Sequence, residues 1–224
     1  LEKLKKMNNG KIYFNFNFRF SKIKEILQLS RRYKLGELLY GNIINSHGLA
    51  YKKDYKINWR SNIKKNPLGI YETVQIHFID LINFCFSIKK IDKPTLLNLS
   101  SSGTSYDTSH SKIYAENNAV IDIFSTYKSC LSNKKYFLFQ NGSLEQSNNS
   151  ITIRGPAKNF DKKGFFKNPN LIKKFTISNK KDFDDSLEKS VNFFIKHCRF
   201  QKKFKKKLFL KSISTNKYLL NYKF

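Results

Sequence analysis

The segment GIYETVQIHFIDLINFCF, residues 69–86, is the most apolar stretch of a chain otherwise crowded with lysine. From Ile70 onward, Val74, Phe78, Leu81 and Cys85 recur three or four positions apart, so the spacing predicts a helix with one deeply buried stripe. A helix of this kind cannot face water and needs a broad apolar surface to lie on. Thr73, His77 and Asp80 share a neighbouring stripe, because steps of three and four bring side chains onto one face. An imidazole there has two readings. It is satisfied in the core by a backbone carbonyl or by Asp80, or it stands where a pocket opens beside the helix.

The surface for that helix is sought in the rest of the chain. Residues 11–20, KIYFNFNFRF, alternate apolar and polar side chains and predict a half-buried strand. Ser21 follows as a cap for a helix carrying Ile23, Ile26, Leu27 and Leu35, which Gly36 can stop in the left-handed conformation. Residues 37–48 form a second predicted strand, and the polar run up to Pro67 and Gly69 reads as a long loop. After Pro94 come several strands and turns, with QNG marking a hairpin. Residues 182–198 return to helix, with acids in the first turn and Leu187, Val191, Phe194, Ile195 and Cys198 as the expected buried face. The lysine-rich segment from Gln201 to Leu220 predicts a last, outer helix. No fixed period repeats, which argues against a solenoid. The order predicts an α+β fold: a large, mainly antiparallel open sheet with helices packed on one face, in a single domain over 1–224.

With 40% hydrophobic residues in 224, the chain can build a real core. Its net charge of +27 suggests a polyanion partner. Only six of the 43 basic residues are arginine, however, and lysine with abundant Asn, Ile, Phe and Tyr is what an AT-rich coding sequence imposes. Base readers favour the planar arginine fork, so the composition argues for a solvated surface and against a nucleic-acid partner. A basic nucleic-acid-binding protein stays as a rival reading.

Cys85, Cys130 and Cys198 are odd in number, far apart and set among apolar neighbours, which predicts buried thiols in a reducing compartment and a cytoplasmic protein. The four histidines are not paired at metal-ligand spacing, so no metal is expected. No apolar run has the length of a membrane span, and no membrane partner is expected. The chain starts at Leu1, and LEKLKKMNNG reads as the tail of an amphipathic helix ending at a glycine, so residues 1–10 are expected to close a preceding domain.

An ordered set of motifs resembles the C-terminal domain of the glucose-fructose oxidoreductase/inositol dehydrogenase/MocA family (Gfo/Idh/MocA). The set runs from Arg19 in NFNFRF, through Leu35 to Glu37 (LGE), the pair Trp59 and Arg60, and Gly69, to His77 and Asp80 as H-x-x-D. Ser125, Thr126 and Tyr127 follow, then Ile153 to Gly155. The similarity spans nearly the whole chain, and its specificity lies in the order.

The resemblance implies a two-domain subunit in which a Rossmann domain, absent from this chain, binds NAD or NADP. The α+β domain then supplies the sugar or nucleotide-sugar pocket and a sheet face for homo-oligomers, while the isolated chain binds no cofactor. No glycine-rich phosphate loop follows any predicted strand. By resemblance His77 is the catalytic candidate that helps move the hydroxyl proton, and imidazole titrates in a suitable range. Arg19, Trp59, Arg60 and Tyr127 are substrate-binding candidates. Their plainer alternatives are an ion pair for Arg19, a loop anchor for Trp59 and a sheet-face residue for Tyr127. Glu72, Thr73 and Asp80 are expected to support His77 from behind, Asp80 alternatively pairing with a lysine. Thr73 stands where many relatives carry an aspartate, and the family's catalytic lysine belongs to the Rossmann domain. A stand-alone, non-catalytic oligomerisation module of the same fold is therefore the second reading.

Overall fold

The computed structural model describes Lys3 and residues 12–147, 149–200 and 202–222; apart from Lys3, the expected helix tail at 1–10 lies outside these. Nine strands form one sheet in the spatial order β2-β4-β5-β1-β6-β7-β8-β9, with β3 also paired to β4. They are β1 (Leu38–Ser46), β2 (Ile88–Ile91), β3 (Thr95–Leu97), β4 (Thr108–Ala115), β5 (Val120–Thr126), β6 (Ser132–Phe139), β7 (Gly142–Ser147), β8 (Ser150–Arg154) and β9 (Leu171–Thr176). All pairings are antiparallel except β1 with β5. The chain therefore leaves β1, passes through a crossover and returns beside it in the same direction. That crossover contains the apolar helix, and this is how the helix comes to lie on the sheet.

The strand alternation sorts side chains to two faces. The inner face carries Ile113, Ile121, Ile123, Ile43, Phe137, Leu144, Ile151 and Ile153, all fully enclosed. Phe124, Tyr136 and Leu138 on the other face are more than a third exposed. The sheet is thus covered on one side, as expected of the α+β fold. The QNG hairpin joins β6 to β7 as predicted.

Four helices are described: α1 (Lys22–Gln28), α2 (Ile76–Phe86), α3 (Asn179–Arg199) and α4 (Lys206–Leu220). The predicted apolar helix is α2, preceded by one wide turn of π-helix over Tyr71–Gln75. Gly69 starts it at φ +58, and a Cβ there would collide with the Tyr106 carbonyl that accepts the Ile70 amide. Gln75 is buried, donates to the Ile123 carbonyl at 2.7 Å and accepts from Ser109, pinning the wide turn to the sheet. Ser21 caps α1 as expected, but α1 ends at Gln28, so Gly36 (φ +79) leads into β1 instead of stopping the helix.

Three expectations are corrected. Residues 12–16 have no regular secondary structure and Asn17–Phe20 is a 3-10 turn, so this segment is not a strand. It runs between helices and not beside a strand, and both sets of its alternating side chains find partners there: Tyr13 stacks on Phe194 and Phe204, Phe18 packs on Phe78, and Asn17 and Arg19 are buried. The second correction concerns α3, whose buried residues are Ser186 and Ser190, whereas Leu187, Val191, Phe194 and Ile195 are about two-fifths exposed or more. The serines face the N-terminal segment and bond to it, Ser186 Oγ accepting from Asn17 Nδ2 at 3.0 Å and Ser190 Oγ donating to Asn15 Oδ1 at 2.7 Å. The third concerns the thiols: Cys85 is half-buried, with desolvation pushing it up to about 12, but Cys130 and Cys198 are exposed. Cys130 lies in the turn before β6 and Cys198 near the end of α3, where little packs over either.

Candidate functional site

The inner face turns polar toward one end. Reading across the strands there, Ser109, Ser125, Asn45 and Asn133 form one row, and Ser111, Ile123, Ile43, Lys135 and Gln146 form the next. These residues share the parity that carries isoleucine and phenylalanine further along each strand. Above this polar end the wide turn and α2 hold Thr73, Val74, His77 and Phe78, α3 holds Asp182, Phe183 and Ser186, and the N-terminal segment adds Asn15 and Asn17. Together with Asn45, His47, Asn133, Lys135 and Gln146 they enclose a cavity of about 450 Å³. That is within the usual range for a small-molecule site.

His77 lines this cavity, and its Nδ1 is buried without a hydrogen-bond partner. Phe16 and Phe18 present tilted rings to it, each with a centroid 5.9 Å away. Burial holds the imidazole below its usual value and keeps it neutral at neutral pH. His47, which the sequence reading did not single out, lines the same cavity and is lowered by burial and then by Arg60 and Lys52.

Lys135 is the other residue missed. It projects from β6 onto the inner face, is 4% exposed, and lines the cavity. Its Nζ donates to Asn133 Oδ1 at 2.6 Å and to Gln146 Oε1 at 3.1 Å. Gln146 is itself oriented by donating from Nε2 to Asn179 Oδ1 at 3.1 Å. Desolvation lowers the Lys135 amine to about 7, with Asp182 opposing the shift. Asp182 forms no ion pair with it. Its Oδ1 accepts the Lys22 amide at 2.7 Å, joining the starts of α1 and α3. A signal was present in KKYFLF: Lys135 has the parity of Phe137 and Phe139, a cation on the apolar side of a strand.

The remaining candidates fall elsewhere. Arg19 and Asp80 are buried together, Nε to Oδ2 at 2.7 Å and Nη2 to Oδ1 at 2.6 Å, and neither lines the cavity. Burial pushes the Asp80 carboxyl up, and Arg19 and Thr215 oppose this by hydrogen bonding to it. Trp59 and Arg60 lie on a 3-10 turn over Trp59–Ser61, Trp59 is 46% exposed, and the Arg60 guanidinium stacks 4.5 Å from its ring. Tyr127 is fully enclosed, one layer behind the wall, with its hydroxyl 2.8 Å from Thr73 Oγ1 and its ring 4.9 Å from that of His47. Thr73 also donates to the Gly69 carbonyl at 3.1 Å. Glu72 accepts the Leu68 amide at 2.9 Å, before the wide turn. So His77 and Thr73 stand at the cavity, Tyr127 supports Thr73, and Arg19, Asp80, Glu72, Trp59 and Arg60 do not line it.

Among the described residues no three His, Cys, Asp or Glu side chains come together to hold a metal ion. No described strand runs through a glycine-rich turn into a helix. No described helix is long and apolar enough to cross a membrane.

Chemically, the wall joins apolar side chains, among them Phe18, Val74, Phe78 and Phe183, to carboxamides and hydroxyls, two imidazoles, one lysine and one carboxylate. The carboxamides and hydroxyls both donate to and accept from hydroxyls, which suits a polyol.

No protein-family profile matches the chain, and no curated protein matches it in sequence. Solved structures do match in fold. An oxidoreductase from Agrobacterium radiobacter, in complex with NAD+, L-tartaric acid and magnesium, superposes with a TM-score of 0.66 at 13% identity over 90% of this chain and 59% of its own. An oxidoreductase from Thermotoga maritima gives 0.68 at 15% over 91% and 56%. A myo-inositol dehydrogenase from Corynebacterium glutamicum gives 0.58 at 15% over 89% and 57%. At these identities the likeness is one of fold. The neighbours are oxidoreductases of the Gfo/Idh/MocA type, so the fold is the one implied by the resemblance. The chain spans less than 60% of the length of each.

Proposed function

We propose that this chain is the substrate-binding part of an NAD(P)-dependent oxidoreductase acting on a CH–OH group of a sugar or nucleotide sugar. The observation that carries the reading is the cavity itself: a neutral histidine from the crossover helix facing a carboxamide-lined end of the sheet, in a fold shared with oxidoreductases that include a polyol dehydrogenase. Hydroxyls of the substrate exchange hydrogen bonds with Asn45, Asn133 and Asn15, and the His77 imidazole helps move the proton of the reacting hydroxyl. Phe16 and Phe18 keep that ring dry and in place.

In this reading the hydride acceptor, NAD or NADP, is held by a Rossmann domain in the same protein or in a partner. Phe183 and Leu187 border the cavity, and with Val191, Phe194 and Ile195 they leave an apolar stripe on α3 exposed. A domain seated there would close the cavity to water. The half-exposed apolar side chains on the outer face of the sheet, Phe124, Tyr136 and Leu138, provide the homo-oligomer surface. Free thiols are compatible with a reducing, cytoplasmic setting.

The test is titration of the full chain with myo-inositol and related polyols, followed by the His77 ring resonances in NMR. Saturable shifts at His77 that are lost in His77→Ala support the reading. Polyols that leave those resonances unmoved count against it. The second reading, a non-catalytic module of the same fold, is favoured by Thr73: where many relatives have a carboxylate, its hydroxyl is occupied by Tyr127 and Gly69. Adding the cofactor domain in trans separates the two, because the module reading requires no polyol oxidation under any pairing.

A further inference from the structure

Lys135 is a buried amine to which, among the described residues, no carboxylate hydrogen-bonds, Asp182 acting on it only through space. Among the described residues its ammonium reaches only two acceptors, both uncharged carboxamide oxygens, and the ring of Phe78 lies 5.6 Å from Nζ. Tetrahedral nitrogen has one more N–H, and no protein acceptor takes it. A buried charge with neither a partner nor full hydration is costly, and proteins rarely retain one without a use. The two acceptors are also held deliberately: Gln146 is turned toward Lys135 by Asn179, so the amine is aimed by a buried network. Around it are side-chain amides able to donate to an anion, including Asn45 and Asn133.

We propose that Lys135 is the counter-ion for an acidic ligand: the cavity takes a polyol bearing a carboxylate, a sugar acid, with the carboxylate against the Lys135 ammonium and the hydroxyl chain running toward His77. This deepens the oxidoreductase reading above and rests on it for the polyol part. The ligand carboxylate supplies the third, charged acceptor that the Lys135 ammonium lacks, and the excess of lysine over the whole chain steers an anion toward it.

Binding must then depend on pH. The titratable groups facing Lys135 are His77 from α2, His47 beyond the end of β1 and Asp182 from α3. The two imidazoles are depressed by burial, His47 also by Arg60 and Lys52, which favours their neutral form. Asp182 is raised by burial, opposed by the hydrogen bond from the Lys22 amide and by the charge of Lys135. Lys135, lowered to about 7, loses its proton as pH rises from 6.5 to 8.5 and with it the attraction for a carboxylate.

The experiment compares D-gluconate with D-glucitol, which differ in carboxylate against CH2OH, on the full chain by calorimetry. Salt is held near 150 mM to screen the surface lysines. Gluconate should bind at least about tenfold more tightly than glucitol at pH 6.5, and its Kd should rise about tenfold or more by pH 8.5 while that of glucitol stays level. Binding should also take up protons, seen as a dependence of the measured heat on buffer. Lys135→Met should abolish the preference, and Lys135→Arg should keep it without the pH dependence. Equal or tighter binding of glucitol overturns the proposal and leaves the polyol reading standing. Gluconate affinity unchanged in a folded Lys135→Met overturns it as well. Binding of neither probe overturns both.

Discussion

Arg19 and Asp80 share two parallel hydrogen bonds, 2.7 and 2.6 Å long, with both side chains almost wholly removed from water. The pair joins the N-terminal segment to α2, and Thr215 on α4 adds a third bond to the same carboxylate at 3.0 Å. Breaking it leaves one buried charge alone. Asp80→Ala should therefore cost about 3–5 kcal/mol in denaturant unfolding. Replacing both partners, Arg19→Met with Asp80→Leu, should recover most of that loss, because no lone charge remains. A double variant as unstable as the single one would show that the pair does more than satisfy itself.

Thr73 and Tyr127 exchange a hydrogen bond behind the cavity wall. Thr73→Val and Tyr127→Phe should each cost about 1 kcal/mol, and the double variant should cost less than the sum by about 0.5–1.5 kcal/mol. A strictly additive double-mutant cycle would deny that the two hydroxyls hold each other.

Lys135 makes stability depend on alkaline pH. Its folded value of about 7 lies below the ordinary lysine value, so between these the unfolded chain binds one more proton than the native one. The penalty is fully present below about pH 7 and is relieved as pH rises toward the unfolded value near 10.4. Unfolding free energy should rise by up to about 1.4 kcal/mol per pH unit through that window relative to Lys135→Met. Parallel pH profiles for the two proteins would show that the native amine keeps its proton.

On α3 the usual expectation for polar and apolar side chains is inverted. Val191→Ser, on the exposed stripe, should change stability by no more than about 0.5 kcal/mol. Ser190→Val should cost about 1–3 kcal/mol, since Tyr13 and Asn15 lose their shared partner. Thermal unfolding of the two variants decides it, and the opposite ranking would mean that the helix packs through its apolar face.

The sequence by itself determined the elements whose information is local. The three-and-four spacing through Val74, Phe78 and Leu81, the Ser21 cap, the QNG hairpin and the run of strands after Pro94 each depend on residues a few positions apart, and each is found. His77 was legible for the same reason, as an imidazole on the flank of an apolar stripe. The segment from Tyr13 to Phe20 has strand alternation, yet only its place between helices decided that both of its faces would be buried and that no ladder would form. On α3 the choice of Ser186 and Ser190 over Leu187 and Val191 was made by Asn15 and Asn17, nearly the length of the chain away. Lys135 carried its clue in its parity with Phe137, but its lowered proton affinity comes from the burial that folding imposes on it. Backbone periodicity is set by neighbours in sequence, whereas desolvation and cavity shape are set by neighbours in space, and these only folding brings together.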